Sequence, residues 1–177
     1  VCSSDLFTTT TDSGDAFILT GTAQPNKDLA LSIKNPDDDI IRFDILKIDE
    51  TGAIKYEFPS SESSTDGTYV LRATQDDITQ VSLFTLDTTS YDRVVVYLEK
   101  MNFKSNSKVK LNILGPPSTE LTLNIFDHAD NRKFTESVKT NSIGTKTFTV
   151  DLTGYSSGVY KAVVSNPTYQ DTAKFSV

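Results

Sequence analysis

Two short stretches open in the same way. Asp66-Gly67-Thr68-Tyr69-Val70-Leu71 and Ser157-Gly158-Val159-Tyr160-Lys161-Ala162 each place a glycine, one spacer and a tyrosine at the head of an alternating run. They constrain the fold because their surroundings repeat with them. Leu29, Leu31 and Ile33 match Leu121, Leu123 and Ile125; the turn at 35–39 matches 127–131; Gly52 matches Gly144. Tyr56 and Phe58 match Phe148 and Val150, and Phe84 and Leu86 match Phe175 and Val177. The offset holds at about 91–94 residues, and self-similarity at that period means tandem copies of one domain.

Each copy reads as strands. Apolar residues alternate with polar ones in Leu29/Leu31/Ile33, in Ile41/Phe43/Ile45 and in Ile54/Tyr56/Phe58, the period of a half-buried strand. Asn35-Pro36-Asp37-Asp38-Asp39 and Asp49-Glu50-Thr51-Gly52 punctuate these runs with residues that favour turns. The expected class is all-β: two tandem antiparallel β-sandwiches of about seven strands each. Residues 1–13 read as a lead-in without structure. Residues 14–88 form the first sandwich and 89–177 the second, with 89–106 a linker or first strand. Within it, residues 93–103 fit both a strand and a short helix, and the three adjacent valines at 94–96 favour the strand because β-branched side chains suit a pleated surface.

The net charge of -7 and pI of about 4.6 argue against nucleic acid as a partner, since phosphate binding needs a basic face. Only one cysteine (Cys2) and one histidine (His128) are present, which leaves no intrachain disulfide and no transition-metal site with several N or S ligands. No apolar run reaches the length of a membrane span, so no membrane insertion is expected. The Cys-Ser-Ser start resembles a mature lipoprotein terminus. Residues 1–6 also look like an in-frame translation of a sequencing adapter, the preferred reading, on which Cys2 carries no meaning and the protein extends upstream.

Little here points to catalysis. His128 sits in a turn among Asp and Asn, and the serine clusters at 60–64 and 156–157 lack a nucleophile-elbow context. No enzymatic activity is expected. The acidic turns are the candidate site: Asp37, Asp38, Asp39, Asp76 and Asp77 would lie at one end of a sandwich and offer oxygens to calcium, the one cofactor the pattern admits. With seven Tyr, ten Phe and no Trp, most aromatics fall in phase with aliphatic neighbours and are expected in the core, Phe17, Phe43, Tyr56 and Phe126 among them. Tyr91, Tyr155 and Tyr169 are out of phase and expected at the surface. Tyr69 and Tyr160 look like tyrosine corners, whose hydroxyls bond back to a preceding loop.

Longer stretches resemble a known family. Residues 11–21 (Thr11-Asp12-Ser13-Gly14-Asp15-Ala16-Phe17-Ile18-Leu19-Thr20-Gly21) resemble the opening of Ig-like domains in archaeal surface proteins. Leu31-Ser32-Ile33-Lys34-Asn35-Pro36-Asp37 and Thr65-Asp66-Gly67-Thr68-Tyr69-Val70-Leu71-Arg72-Ala73 are similar to strands of the same domains. The second block, through Leu152-Thr153-Gly154-Tyr155-Ser156-Ser157-Gly158-Val159-Tyr160, resembles modules of thaumarchaeal S-layer and cell-surface proteins. Macroglobulin MG2-like domains share the general pattern. The resemblance implies an extracellular, non-enzymatic spacer or lattice element whose partners are neighbouring copies of the same or a similar protein. The alternative is a ligand- or carbohydrate-binding accessory module of a larger secreted enzyme.

Overall fold

The computed structural model describes residues 9–12, 16–59 and 65–177. The chain divides into two compact units, Val1–Thr89 and Ser90–Val177. Among the described residues every pairing between strands is antiparallel, a lone bridge of Asn102 with Ser176 is parallel, and there is no helix.

In the first unit, β1 (Thr9–Asp12), β2 (Ala16–Thr22) and β5 (Ala53–Pro59) make a three-stranded sheet in the order β1-β2-β5. A four-stranded sheet faces it, built from β3 (Asp28–Lys34), β4 (Ile40–Lys47), β6 (Gly67–Gln75) and β7 (Ile78–Leu86) in the order β4-β3-β6-β7. The second unit repeats this connectivity. Its sheets are β12-β9-β8 and β11-β10-β13-β14, from β8 (Val95–Tyr97), β9 (Lys108–Leu114), β10 (Glu120–Phe126), β11 (Arg132–Lys139), β12 (Thr145–Asp151), β13 (Val159–Ser165) and β14 (Gln170–Ser176). Both are Ig-like sandwiches. In the constant-type immunoglobulin domain the fourth strand pairs with the fifth, whereas here it pairs with the third.

The period-2 runs supply the cores. Leu29, Leu31 and Ile33 on β3 are at most 2% exposed, and Leu121, Leu123 and Ile125 on β10 likewise. Burying a side chain of this size stabilises by about 1.5–3 kcal/mol relative to leaving it in water. Tyr69 stacks on Phe84 and Tyr160 on Phe175, with centroids 5.2 and 5.6 Å apart and rings within 20° of parallel.

Two expectations about the joins need correction. Residues 9–12, taken as lead-in, form β1, because a threonine run with branched side chains suits a strand and pairs with β2 from Thr9↔Thr20 to Asp12↔Phe17. Residues 1–8, with Cys2, lie outside the described residues, as do the side chain of Phe17 and the serine cluster at 60–64. The single strand expected over 93–103 is divided: β8 pairs with β9, and residues 101–103 cross to the other sheet, where Phe103 N–H donates to the Ser176 carbonyl at 2.9 Å. Val94, Val96 and Leu98 all point into the core.

The repeat extends to backbone geometry. Asn26 and Ser118, Asp38 and Asp130, and Gly52 and Gly144 all adopt left-handed φ, each pair 92 residues apart. A β-bulge falls at the end of β3 and at the same point of β10. Gly52 accepts from Ala23 N–H at 2.8 Å and Gly144 from Gly115 N–H at 2.9 Å. A Cβ would come within 2.6 Å of the Ala23 carbonyl oxygen at Gly52 and within 2.0 Å of the Gly115 carbonyl oxygen at Gly144.

Candidate interaction surface

The two units differ most at their fourth strand. In the first unit, β4 ends its sheet. It lies opposite β3 with Leu29↔Leu46, Leu31↔Asp44 and Ile33↔Arg42, and paired residues share a face. Arg42, Asp44 and Leu46 therefore point inward. Phe43 and Ile45 point outward and are 62% and 61% exposed, and Ile40 is 63% exposed. This overturns the expectation that Phe43 belongs to the core. The cause is the bulge: Ile33 pairs with Arg42 and Lys34 with Ile40, which leaves Ile41 as an extra residue and exchanges the faces beyond it. Phe126, also expected in the core, follows the buried Ile125 on β10 and so faces outward with its partner Lys161, whose ammonium sits 5.4 Å from the ring centroid.

The inward polar residues are satisfied by one partner from the facing sheet. Arg42 Nε donates to Asp44 Oδ2 at 2.7 Å and to Tyr56 Oη at 3.1 Å, and the Tyr56 hydroxyl donates to Asp44. Hydrogen bonds from Tyr56 and then Arg42 hold the Asp44 carboxyl below the usual carboxylate range. Burial, reinforced by Asp44, pushes Tyr56 up to about 12. Bonds to Asp44 and Tyr56 raise Arg42 further above its ordinary value. The guanidinium and carboxylate thus stay charged across the ordinary pH range, on the inner side of an open sheet edge.

In the second unit, Phe134 stands where Arg42 does and packs on Phe148, which stands where Tyr56 does, with centroids 5.6 Å apart. The outward positions of β11 are Thr135 and Ser137, both exposed. Its polarity is conventional, and that of β4 is inverted.

The acidic turns do not converge. Residues 37–39 follow β3, whereas Asp76 and Asp77 follow β6, which runs antiparallel to it from Lys34↔Val70 to Ala30↔Thr74. The two turns lie at opposite ends of the sheet, so the five aspartates expected to form one calcium site are divided. Asp76 pairs with Lys27, Asp38 lies 3.7 Å from Lys34, and Asp39 N–H donates to Asn35 Oδ1 at 2.9 Å. Among the described residues, no three His, Cys, Asp or Glu side chains are grouped to hold a metal.

Tyr69 Oη donates to the Thr65 carbonyl at 2.7 Å and Tyr160 Oη to the Ser156 carbonyl at 2.8 Å. Both side chains are buried. Tyr155 and Tyr169, expected at the surface, pack against the second core. The Tyr155 ring lies 5.0 Å from Tyr160, and burial raises its hydroxyl's pKa. That removes both from the exposed row a carbohydrate-binding face would need. His128 is exposed in its turn.

The reversed face of β4 left two signals in the sequence. Ile40 and Ile41 are adjacent apolar residues, which mark a slipped phase, and the repeat sets Phe43 and Ile45 against Thr135 and Ser137.

No protein family and no characterised protein matches the sequence. Solved structures do resemble the chain. A tetra-tandem repeat from the extending region of a large adhesion protein has a TM-score of 0.41 at 15% identity, covering 96% of this chain and 48% of that one. Trypsin-activated alpha-2-macroglobulin from Escherichia coli has a TM-score of 0.37 at 15% identity, covering 93% of this chain and 14% of that one. The BSP domain of a biofilm-associated protein has a TM-score of 0.38 at 14% identity, covering 93% and 27%. The chain thus spans about half the adhesion-protein repeat and less of the other two. Likeness this slight carries no function across.

Proposed function

We propose that the chain is a non-enzymatic structural module of an extracellular cell-surface or S-layer-like protein, serving as a spacer or lattice element. The observation that carries this reading is the repetition itself. Two units share connectivity, bulge position and three left-handed turn positions, while the polar groups differ between them. What is common to the copies is therefore a framework, the requirement of a stacked array. The acidic surface fits a soluble exterior that repels its own kind except at defined contacts. The partners are neighbouring copies of the same or a similar surface protein.

Antibodies raised against the chain test the setting. They should label intact cells of the source organism, and labelling only after the cells are broken open would refute it.

A further inference from the structure

We propose that β4 pairs edge to edge and antiparallel with β4 of a second copy of this chain, about a two-fold axis at Phe43. The inference deepens the lattice reading by naming a contact, and it rests on that reading only for its biological setting. Three observations carry it. First, β4 ends its sheet, and no described residue pairs with its outer edge. Such an edge is a template for another strand, and natural sequences usually guard it with lysine, proline, a bulge or inward-pointing charges. From Ile40 to Ile45 the outward row holds no lysine, proline or charge, and Lys47 comes only at the end; the guards present are the bulge at Ile41 and the inward pair Arg42 and Asp44.

Second, the strand is complementary to its own reverse. Read about Phe43, the strand sets Arg42 opposite Asp44 and Phe43 opposite itself; beyond these the match ends, because the bulge turns Ile41 inward while Ile45 faces outward. An isologous two-fold contact needs this self-match. It also selects the register. A pairing centred on Arg42 sets guanidinium against guanidinium, and one centred on Asp44 sets carboxylate against carboxylate; like charges directly opposite are destabilising. Centring on Phe43 surrounds each Asp44 with two guanidinium groups and each Arg42 with two carboxylates. The Arg42 and Asp44 side chains keep 36% and 31% of their surface exposed, enough to meet partners across the edge.

Third, the molecule contains its own control. The equivalent strand, Arg132-Lys133-Phe134-Thr135-Glu136-Ser137-Val138, read about Thr135 sets Phe134 against Glu136 and Lys133 against Ser137. It has neither the apolar row nor the charge match. The bulge at Ile41 confines the regular pairing to a few residues, so a single contact is weak and gains strength only when copies are arrayed.

Sedimentation velocity of the whole chain, with Cys2→Ser to exclude adventitious disulfides, tests the contact from micromolar to millimolar concentration. A reversible dimer is expected. Phe43→Lys should weaken it at least about tenfold, since the substitution buries a charge at the centre of the contact. Thr135→Lys should leave it unchanged. Because Phe43 is exposed the variant should stay folded; should it not, Phe43→Cys in the same background provides the second test. Mild oxidation should join that variant into a covalent dimer far faster than an Ile45→Cys variant. A wild-type chain that stays monomeric throughout, a dimer untouched by Phe43→Lys, or equal cross-linking at both positions would overturn the pairing. None of these results bears on surface location, which the antibody experiment decides separately.

Discussion

Strands β4 and β11 occupy the same place in the same fold, yet one carries its apolar residues outward and the other does not. Arg42, Asp44 and Tyr56 stand where the second unit has Phe134, Glu136 and Phe148. The backbone tolerates both solutions because the fourth strand is at an edge, where its inner side chains are covered from one side only. A charged pair there keeps contact with water and avoids most of the desolvation cost of a buried ion pair. The framework therefore fixes where a strand runs, while the edge strand is free to diverge in what it presents to the surroundings.

The sharpest test of the shared framework is at its two left-handed glycines. Gly144→Ala should cost about 3 kcal/mol or more, since a Cβ at φ 78° would lie 2.0 Å from the Gly115 carbonyl oxygen. Gly52→Ala should cost somewhat less, about 2 kcal/mol, because the corresponding approach is 2.6 Å. Hydrogen exchange resolves the units, and each substitution should lower protection in its own unit alone. Equal, negligible effects at both sites would show that the turns are not the rigid points of the repeat.

A second contrast concerns how each unit ties its loop between the second and third strands. In the first, the buried Gln75 amide reaches it from β6: Gln24 N–H donates to its Oε1 at 2.7 Å, and its Nε2 donates back to the Gln24 carbonyl at 3.1 Å. In the second, Thr140 does so, donating to the Pro116 carbonyl at 2.7 Å and accepting from Thr119 N–H at 2.8 Å. Gln75→Ala should cost about 2 kcal/mol, because two backbone groups lose their partner. The matching measurement is the denaturation midpoint, with Thr140→Val as the comparison.

The tyrosines should give smaller effects. Tyr69→Phe and Tyr160→Phe should each cost about 1 kcal/mol, the worth of one ordinary hydrogen bond. Melting temperatures equal to wild type in both would refute the corners. Tyr56→Phe should cost about as much. Because Phe148 already fills that position in the second unit, a much larger loss would mean that the units are less interchangeable than their topology implies.

The framework was legible because it rests on local chemistry. Period-2 burial at Leu29, Leu31 and Ile33, turn residues at 35–39, and glycine at 52 and 144 each act within a few residues. The edge surface was not legible in the same way. One bulged residue, Ile41, exchanges the faces of Phe43 and Arg42, and bulges are set by pairing with another strand. The separation of Asp37–Asp39 from Asp76 and Asp77 is hidden in the sequence for a related reason: both are hairpin turns, but strand direction decides which end each occupies. Residues distant in sequence, such as Gln75 with Gln24 and Tyr56 with Asp44, meet only once the sheets have formed.

The mildest prediction separates the units by acid alone. The turn after the third strand is held by Asn35 in the first unit and by Asp127 in the second. Asp127 Oδ1 accepts from the backbone N–H groups of Ala129 and Asn131, each at 2.9 Å, and its other oxygen lies 3.2 Å from the Lys133 ammonium. Burial raises this carboxyl, but bonds from Asn131, Lys133 and Ala129 outweigh it and bring the group down to about 2. A carboxyl depressed on folding stabilises at pH above its unfolded value, ~3.9 for aspartate, and that contribution is lost as pH falls through the folded value. The amides of Ala129 and Asn131 should therefore lose protection as pH falls from about 4 toward 2. Asp39 N–H, bound to the neutral amide of Asn35, should not respond. Asp127→Asn should make the second turn as insensitive to acid as the first. If the acid response of residues 127–131 survives that substitution, the carboxylate is not what holds the turn, and the chemical difference between the two hairpins has no effect on their stability.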